Sequence, residues 1–400
     1  MSRLVLTHAT AVLPDRILED ATFVAEDGVI TAIEPATPGS AAEGDDLRGA
    51  LLIPGLVDSH SDGLERDLRP RPGAEMDPHF ALTSYEGRAR GAGVTTVFHG
   101  IGYYDNEFKD RSVEQAEMLV RVIGERNRTG AALVDHRLLL RLDARAATAL
   151  EVLKGAVERL HVAGAPLPLV SFEDHTPGQG QYADVEAYKR AVGGTVPADQ
   201  LDAYVRRHMD KRAGIEWHRD ISIAWLSEQA LAGRIRLLAH DPAEVEEIHL
   251  RKEQGTAVAE FPTTLRAARA AREAGLLTVA GAPNVLRGGS HSGNVSATEL
   301  ISEGLVDTLS SDYMPSTLLA AAIRLASTKV IGLPQAIALI TSGGARVGGL
   351  EDRGALTVGS RADLTIATVD GQWPTVRRTV LAEELQPAPA TASRVLESVR

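Results

Sequence analysis

Five stretches of this chain end in side chains that bind metal ions or move protons: His60-Ser61-Asp62, Arg141-Leu142-Asp143, Glu173-Asp174-His175, His240-Asp241 and Ser310-Ser311-Asp312. Each follows a short apolar run. His60 and Asp62 are two residues apart, and on a strand such residues face the same way, so both reach one ion. Adjacent strand residues face opposite ways, so one member each of Asp174-His175 and His240-Asp241 is expected to point inward, and the histidines are the expected ones. A lone His at a strand end is usually hydrogen-bonded structure, and a lone Asp is usually a helix cap. Several of both at one end, in a chain with 12 histidines, favour a metal site instead. The expected ligands are His60, Asp62, His175, His240 and Asp312.

Imidazole with carboxylate suits Zn²⁺, Mn²⁺, Fe²⁺ or Ni²⁺, with zinc the first choice. Such an ion lowers the pKa of its water to about 7 and makes hydroxide available at neutral pH. Asp312 is placed to take or return the proton as general base, and His240 is the second residue expected to act on the reacting groups. His79, His136, His161, His208, His218 and His249 are expected in helices or loops, at the surface.

The elements that must carry these residues follow from the pattern of the chain. Apolar runs at 51–57, 94–99, 137–143, 168–174, 234–239, 257–261, 276–281 and 306–311 alternate with Ala-, Leu-, Arg- and Glu-rich stretches of helical period, which predicts βα units and a parallel sheet. Eight such strands close a (β/α)₈ barrel, whose catalytic groups sit at the carboxyl ends of the strands. The ends of the chain are β-rich, around Leu4-Val5-Leu6 and Val29-Ile30-Thr31 on one side and Gly354–Gly359 and Ala362–Ala367 on the other. The expected fold class is therefore α/β, a TIM-type barrel over 54–350 with a small β-sandwich built from 1–53 and 351–400. A polar, helical stretch at 182–230 is longer than an ordinary crossover and reads as an insertion near the active face.

Composition bounds the rest. With 44% hydrophobic and 24% charged residues, 400 residues make a globular chain with one large core and a satellite. A formal net charge of -12 argues against nucleic-acid binding. The absence of cysteine excludes disulfides, thiolate metal sites and cysteine nucleophiles. Neither a signal-peptide apolar region nor a span of about 20 apolar residues is present, so no membrane role and a cytoplasmic address are expected.

Longer motifs carry a resemblance. Pro54-Gly55-Leu56-Val57-Asp58-Ser59-His60 resembles the opening strand of the amidohydrolase superfamily, and Gly354-Ala355-Leu356 through Gly359 to Ala362-Asp363-Leu364 looks like its closing sandwich. Arg69-Pro70-Arg71-Pro72-Gly73, Asp174-His175-Thr176-Pro177-Gly178-Gln179, the run Gly281-Ala282-Pro283-Asn284 to Gly293-Asn294, and Ser310-Ser311-Asp312-Tyr313 are together similar to the diphosphatase family of the carbon–phosphorus lyase pathway of phosphonate breakdown. The resemblance implies a hydrolase acting on a phosphoric anhydride. Its substrate would be the small molecule α-D-ribose 1-methylphosphonate 5-triphosphate, and its products the 5-phosphate and diphosphate.

A triphosphate on an acidic protein needs concentrated positive groups. Arg66, Arg69 and Arg71 follow the first metal strand, and Arg287 opens a glycine-rich loop. There Gly288, Gly289 and Ser290 are expected to form an anion-binding nest, with His291 and Asn294 adding donors. Gln179 is a further expected substrate contact.

Two departures bear on the metal. The superfamily usually has His-x-His on its first strand, where this chain has Asp62, and many members bridge two ions with a carboxylated lysine, for which no lysine here is suitably placed. One or two ions are expected, with Asp143 as the bridging candidate and Glu173 its rival. Mg²⁺ arriving with the triphosphate is compatible with the charge. So is homo-oligomerisation, whose order no sequence feature sets. The competing readings are an amide or cyclic-amide hydrolase on the same barrel, and a non-catalytic interaction protein that lost its ligands.

Overall fold

The computed structural model describes residues 2–36, 44–71, 73–104, 112–146, 148–174, 176, 185–193, 196–213, 215–290 and 293–386. The expectations for His175, Gln179 and His291 lie outside these residues.

Eight strands form one parallel sheet in sequence order: β6 (Leu56–Ser61), β7 (Val94–Tyr103), β8 (Asp135–Asp143), β9 (Leu169–Glu173), β10 (Arg236–His240), β11 (Thr256–Glu260), β12 (Leu277–Gly281) and β13 (Thr308–Ser310). A single parallel bridge between Ser61 and Asp312 joins the first strand to the end of the last and closes the barrel. The period-two alternation of each strand sorts its side chains. One apolar residue from each of β6 to β12 (Val57, Phe98, Leu139, Leu169, Leu238, Val258 and Val279) belongs to a single inner cluster. Their neighbours Val97, Leu140 and Val170 pack outward with Leu119, Leu153 and other helix residues in the large core.

Counting two residues onward from the inner layer reaches Gly100, Arg141, Ser171, His240 and Glu260, and two beyond Ser171 lies Glu173. The same alternation that fills the barrel with Val and Leu therefore lines its carboxyl-end mouth with polar groups.

The chain ends build the second unit. Strands β1 (Arg3–Val12), β2 (Ile17–Glu26), β3 (Val29–Pro35), β4 (Asp45–Asp46), β5 (Leu51–Pro54), β14 (Leu364–Asp370) and β15 (Trp373–Val380) form one mixed seven-stranded sheet, with β5 lying between β1 and β14. Leu6, Phe23, Ile30, Leu52, Leu364 and Ile366 share its buried cluster.

Three expectations change. The apolar run 51–57 is two strands, because Pro54-Gly55 breaks it: Leu51–Pro54 joins the terminal sheet, and only Leu56–Ser61 is a barrel strand. The segment 354–359 is a turn, although Leu356 still enters the sheet's core. His136 is a buried residue of β8. The insertion is helical, with helices Val185–Val192, Leu201–Ala213 and Glu216–Leu231, the last leading into β10. Among the described residues, no helix is long and apolar enough to cross a membrane.

Candidate active site

At the centre of the mouth stands Glu260, fully buried at the end of β11. Its Oε1 accepts from Nδ1 of His60 at 2.7 Å, and its Oε2 accepts from Nδ1 of His240 at 2.8 Å and from Ser171 Oγ at 2.7 Å. Burial opposes ionisation of Glu260, but the charge of His60 and the hydrogen bonds from both rings outweigh it and hold its pKa well below the usual carboxylate range. An ionised Glu260 can only accept, so each ring keeps a proton on Nδ1, and the neutral ring, once its other proton is lost, offers the Nε2 lone pair.

That is the arrangement of a metal-binding histidine backed by a carboxylate. The two rings lie 5.9 Å apart, nearly parallel. His60 Nε2 is 3.4 Å from Asp62 Oδ1, and two donors sharing a tetrahedral ion at about 2.0–2.1 Å are about 3.3 Å apart. Among the described residues, donor atoms come within 4.8 Å of one another in two groups, His60–His240–Glu260 and His60–Asp62–Asp312. The donor set fits a divalent ion. With both Nδ1 atoms taken by Glu260, the candidate ligand atoms are the Nε2 atoms and the carboxylates of Asp62 and Asp312.

Burial lowers the pKa of His240, but Asp241, Glu173 and Glu260 outweigh it and raise it to about 9. The carboxyl of Asp312 is pushed up by burial and by Asp62, against the opposing charges of His60, Arg141 and His240. These shifts describe carboxylates crowded together; a divalent charge among them pulls their pKa values down again.

Arg141 meets two of these carboxylates. Its Nη1 donates to both oxygens of Asp62, at 2.7 and 2.8 Å, and its Nε pairs with Glu173. The space for this comes from strand β7: a Cβ on Gly100 would lie 2.5 Å from Asp62 Oδ1 and 3.0 Å from Arg141 Cδ, so only glycine fits.

Asp312 is fixed by its main chain. Its N–H donates to the His60 carbonyl at 3.1 Å, its carbonyl accepts from Asp62 N–H, and its φ of 57° turns the chain sharply after β13. Ser311, the preceding residue, donates its N–H and hydroxyl to the buried Asp58 at 2.9 and 2.5 Å.

Cations gather beside Asp312. Arg66, on the helix Gly63–Leu68, lays its guanidinium over the Tyr313 ring at 4.5 Å from the centroid. Arg287, the last residue of the helix Ala282–Arg287, donates to the Tyr313 hydroxyl.

The other expected residues are placed differently. Arg69 is held by Gln115 and Glu75, and Arg71 is exposed in a bridge with Ala74. Gly288 is a left-handed cap with φ 78°, and the N–H groups of Gly288 and Gly289 donate to the Asn284 carbonyl. Those two N–H groups end the helix and make no anion nest, which corrects the expectation for them. Ser290 and Asn294 are half-buried in the same loop. Asp143 belongs to neither donor group, and its Oδ1 accepts from Arg145 N–H at 3.0 Å.

Glu260 was missed by the sequence reading, although a lone carboxylate closing the apolar run Thr256–Glu260 was a usable signal. His99 was missed too. It is buried on β7, with its Nε2 2.9 Å from Nδ1 of His136, whose Nε2 lies 3.0 Å from Glu86.

Barrel, terminal sheet and mouth define a protein of amidohydrolase fold. A crystal structure of an amidohydrolase superposes with a TM-score of 0.59 at 14% identity, covering 96% of this chain and 98% of that one. A 5-methylcytosine deaminase from Klebsiella pneumoniae, liganded with phosphonocytosine, superposes with a TM-score of 0.59 at 16% identity, covering 96% of this chain and 99% of that one. No family model matches the sequence.

Among curated proteins, the α-D-ribose 1-methylphosphonate 5-triphosphate diphosphatase of Escherichia coli (strain K12) is 37% identical over 326 residues, 80% of this chain and 84% of that protein. The chain belongs to the α-D-ribose 1-methylphosphonate 5-triphosphate diphosphatase family.

Proposed function

We propose that this protein hydrolyses α-D-ribose 1-methylphosphonate 5-triphosphate to the 5-phosphate and diphosphate, the reaction named for its Escherichia coli relative. The observation that carries this over amide hydrolysis is the meeting of Arg66 and Arg287 at Tyr313, the residue after Asp312. A carboxylate-bearing amide such as dihydroorotate engages one cation, whereas a triphosphate carries charge for several.

His60, Asp62, His240 and Asp312 would hold one divalent ion or share two, with zinc first among the metals that suit imidazole and carboxylate. When bound, such an ion supplies Lewis acidity and a water acidic enough to serve as nucleophile near neutral pH. The chain's own groups do the rest. Glu260 keeps the His60 and His240 rings oriented, and Asp312 takes the proton from the attacking water. Arg66 and Arg287 neutralise charge growing on the departing diphosphate. Ser290 and Asn294 line the same loop, with Arg69 and Arg71 further out.

Phosphorus NMR on metal-analysed protein tests the reading, with this triphosphate offered beside a cyclic amide such as dihydroorotate. Diphosphate release with the phosphonate resonance unchanged is the expected result. Opening of the amide with the triphosphate left intact would overturn it.

A further inference from the structure

Two guanidinium groups converge on one phenol ring at the rim of the barrel, and Arg66 has no carboxylate partner among the described residues. Both arginines are exposed. Like charges brought together repel, so an anion reaching both groups is favoured there. The three residues come from three separate elements: the helix after β6, the helix after β12, and the turn after β13.

Tyr313 touches both arginines. Its turn is pinned by Ser311 to Asp58, by Asp312 N–H to the His60 carbonyl, and by Met314 N–H to the Ser311 carbonyl at 3.0 Å. The backbone that carries the ring is therefore set in position relative to Asp312. Its face holds Arg66, and its hydroxyl holds Arg287.

We propose that Tyr313 is a positioning residue that spaces Arg66 and Arg287 into a clamp for a diphosphate, the leaving group of the hydrolysis. The inference rests on the proposed reaction for its substrate but on geometry alone for its ligand. A diphosphate presents oxygens on two adjacent phosphorus atoms, one for each guanidinium, and each contact is a charge-assisted hydrogen bond. Orthophosphate spans only one of them. The clamp thus selects for the length of the leaving group and leaves the proton chemistry to Asp312.

The test is calorimetric binding of inorganic diphosphate to the metal-loaded protein, with orthophosphate as the comparison. Tyr313→Phe removes only the hydroxyl and is expected to weaken diphosphate binding about tenfold, the worth of a hydrogen bond to a charged group. Tyr313→Leu removes the ring as well and is expected to cost about threefold more, a cation–π contribution. In turnover both variants raise KM more than they lower kcat.

Double-mutant cycles separate positioning from simple stability. Because the ring face acts through Arg66 and the hydroxyl through Arg287, Tyr313→Leu in an Arg66→Ala background should bind diphosphate as Tyr313→Phe does in that background, and Tyr313→Phe should cost nothing further in an Arg287→Ala background. Effects that multiply, or a Tyr313→Phe protein that binds diphosphate as tightly as the parent, would overturn the clamp. If Tyr313→Leu does not fold, the Tyr313→Phe cycle decides by itself. Failure of the reaction reads differently: the triphosphate would stay intact in NMR while inorganic diphosphate binding still responded to Tyr313.

Discussion

Glu260 accepts a hydrogen bond from Nδ1 of His60 at 2.7 Å, and the same carboxylate holds His240 at 2.8 Å from the other side. One buried anion thus sets the tautomer and the direction of two rings from strands β6 and β10. Glu260→Gln keeps the shape but loses the charge, and an amide nitrogen facing either ring cannot accept its proton. Divalent-ion affinity is expected to fall by about 10–100-fold. Competition against a chelating indicator measures it, and an unchanged affinity would remove Glu260 from the orienting role.

Asp312→Asn tests the proton-transfer role. The side chain keeps one oxygen toward the donor group and loses its basicity. The expected outcome is metal content near normal with a rate lowered by at least about 10²-fold. Metal analysis and steady-state kinetics on the same preparation check both halves, and full activity would exclude Asp312 as the base.

Arg141 is a stability prediction. Its side chain is only 8% exposed and balances Asp62 and Glu173. Arg141→Met strands those carboxylates in a buried site, at an expected cost of about 3–5 kcal/mol. Chemical denaturation of the metal-free protein reads this directly, because bound metal would mask the loss. A change below about 1 kcal/mol would mean that water screens the pair.

His99 predicts a slope of stability with pH. Burial, and the neighbouring His136, hold its pKa well below the ordinary imidazole value of 6.5, and its Nδ1 has no hydrogen-bond partner. Above pH 6.5 the ring is neutral in both folded and unfolded chains, so its contribution is constant. Below it the unfolded chain takes up a proton that the folded chain refuses, and stability falls by up to about 1.4 kcal/mol per pH unit. Denaturation midpoints from pH 7 to pH 5 measure the slope. His99→Phe should flatten it, and an equally steep loss in that variant would assign the slope to other groups.

Much of this molecule was legible in the order of its residues. The eight apolar runs predicted the eight barrel strands, because a parallel strand buried on both faces must be apolar along most of its length. His60, Asp62, His240 and Asp312 stood out because each ends such a run, where a barrel opens. Arg66 and Arg287 stood out as charge near those ends.

Three-dimensional packing decided what spacing along the chain does not encode. Glu260 lies 200 residues from His60, and only closure of the barrel shows that it faces both rings. The run 51–57 read as one strand because its apolarity is continuous; its division between two sheets follows from pairing with β1 and β14. Gly288 and Gly289 matched an anion nest in composition, but their N–H groups were taken by the end of a helix. His136 read as a surface residue because one polar side chain in an apolar stretch carries no mark of its partner, and Glu86, 50 residues earlier, supplies it. Local sequence determines which strands form and which way alternate side chains point. Which polar groups meet at the mouth is decided by contacts across the barrel, between residues whose separation in the chain carries no information about their distance in space.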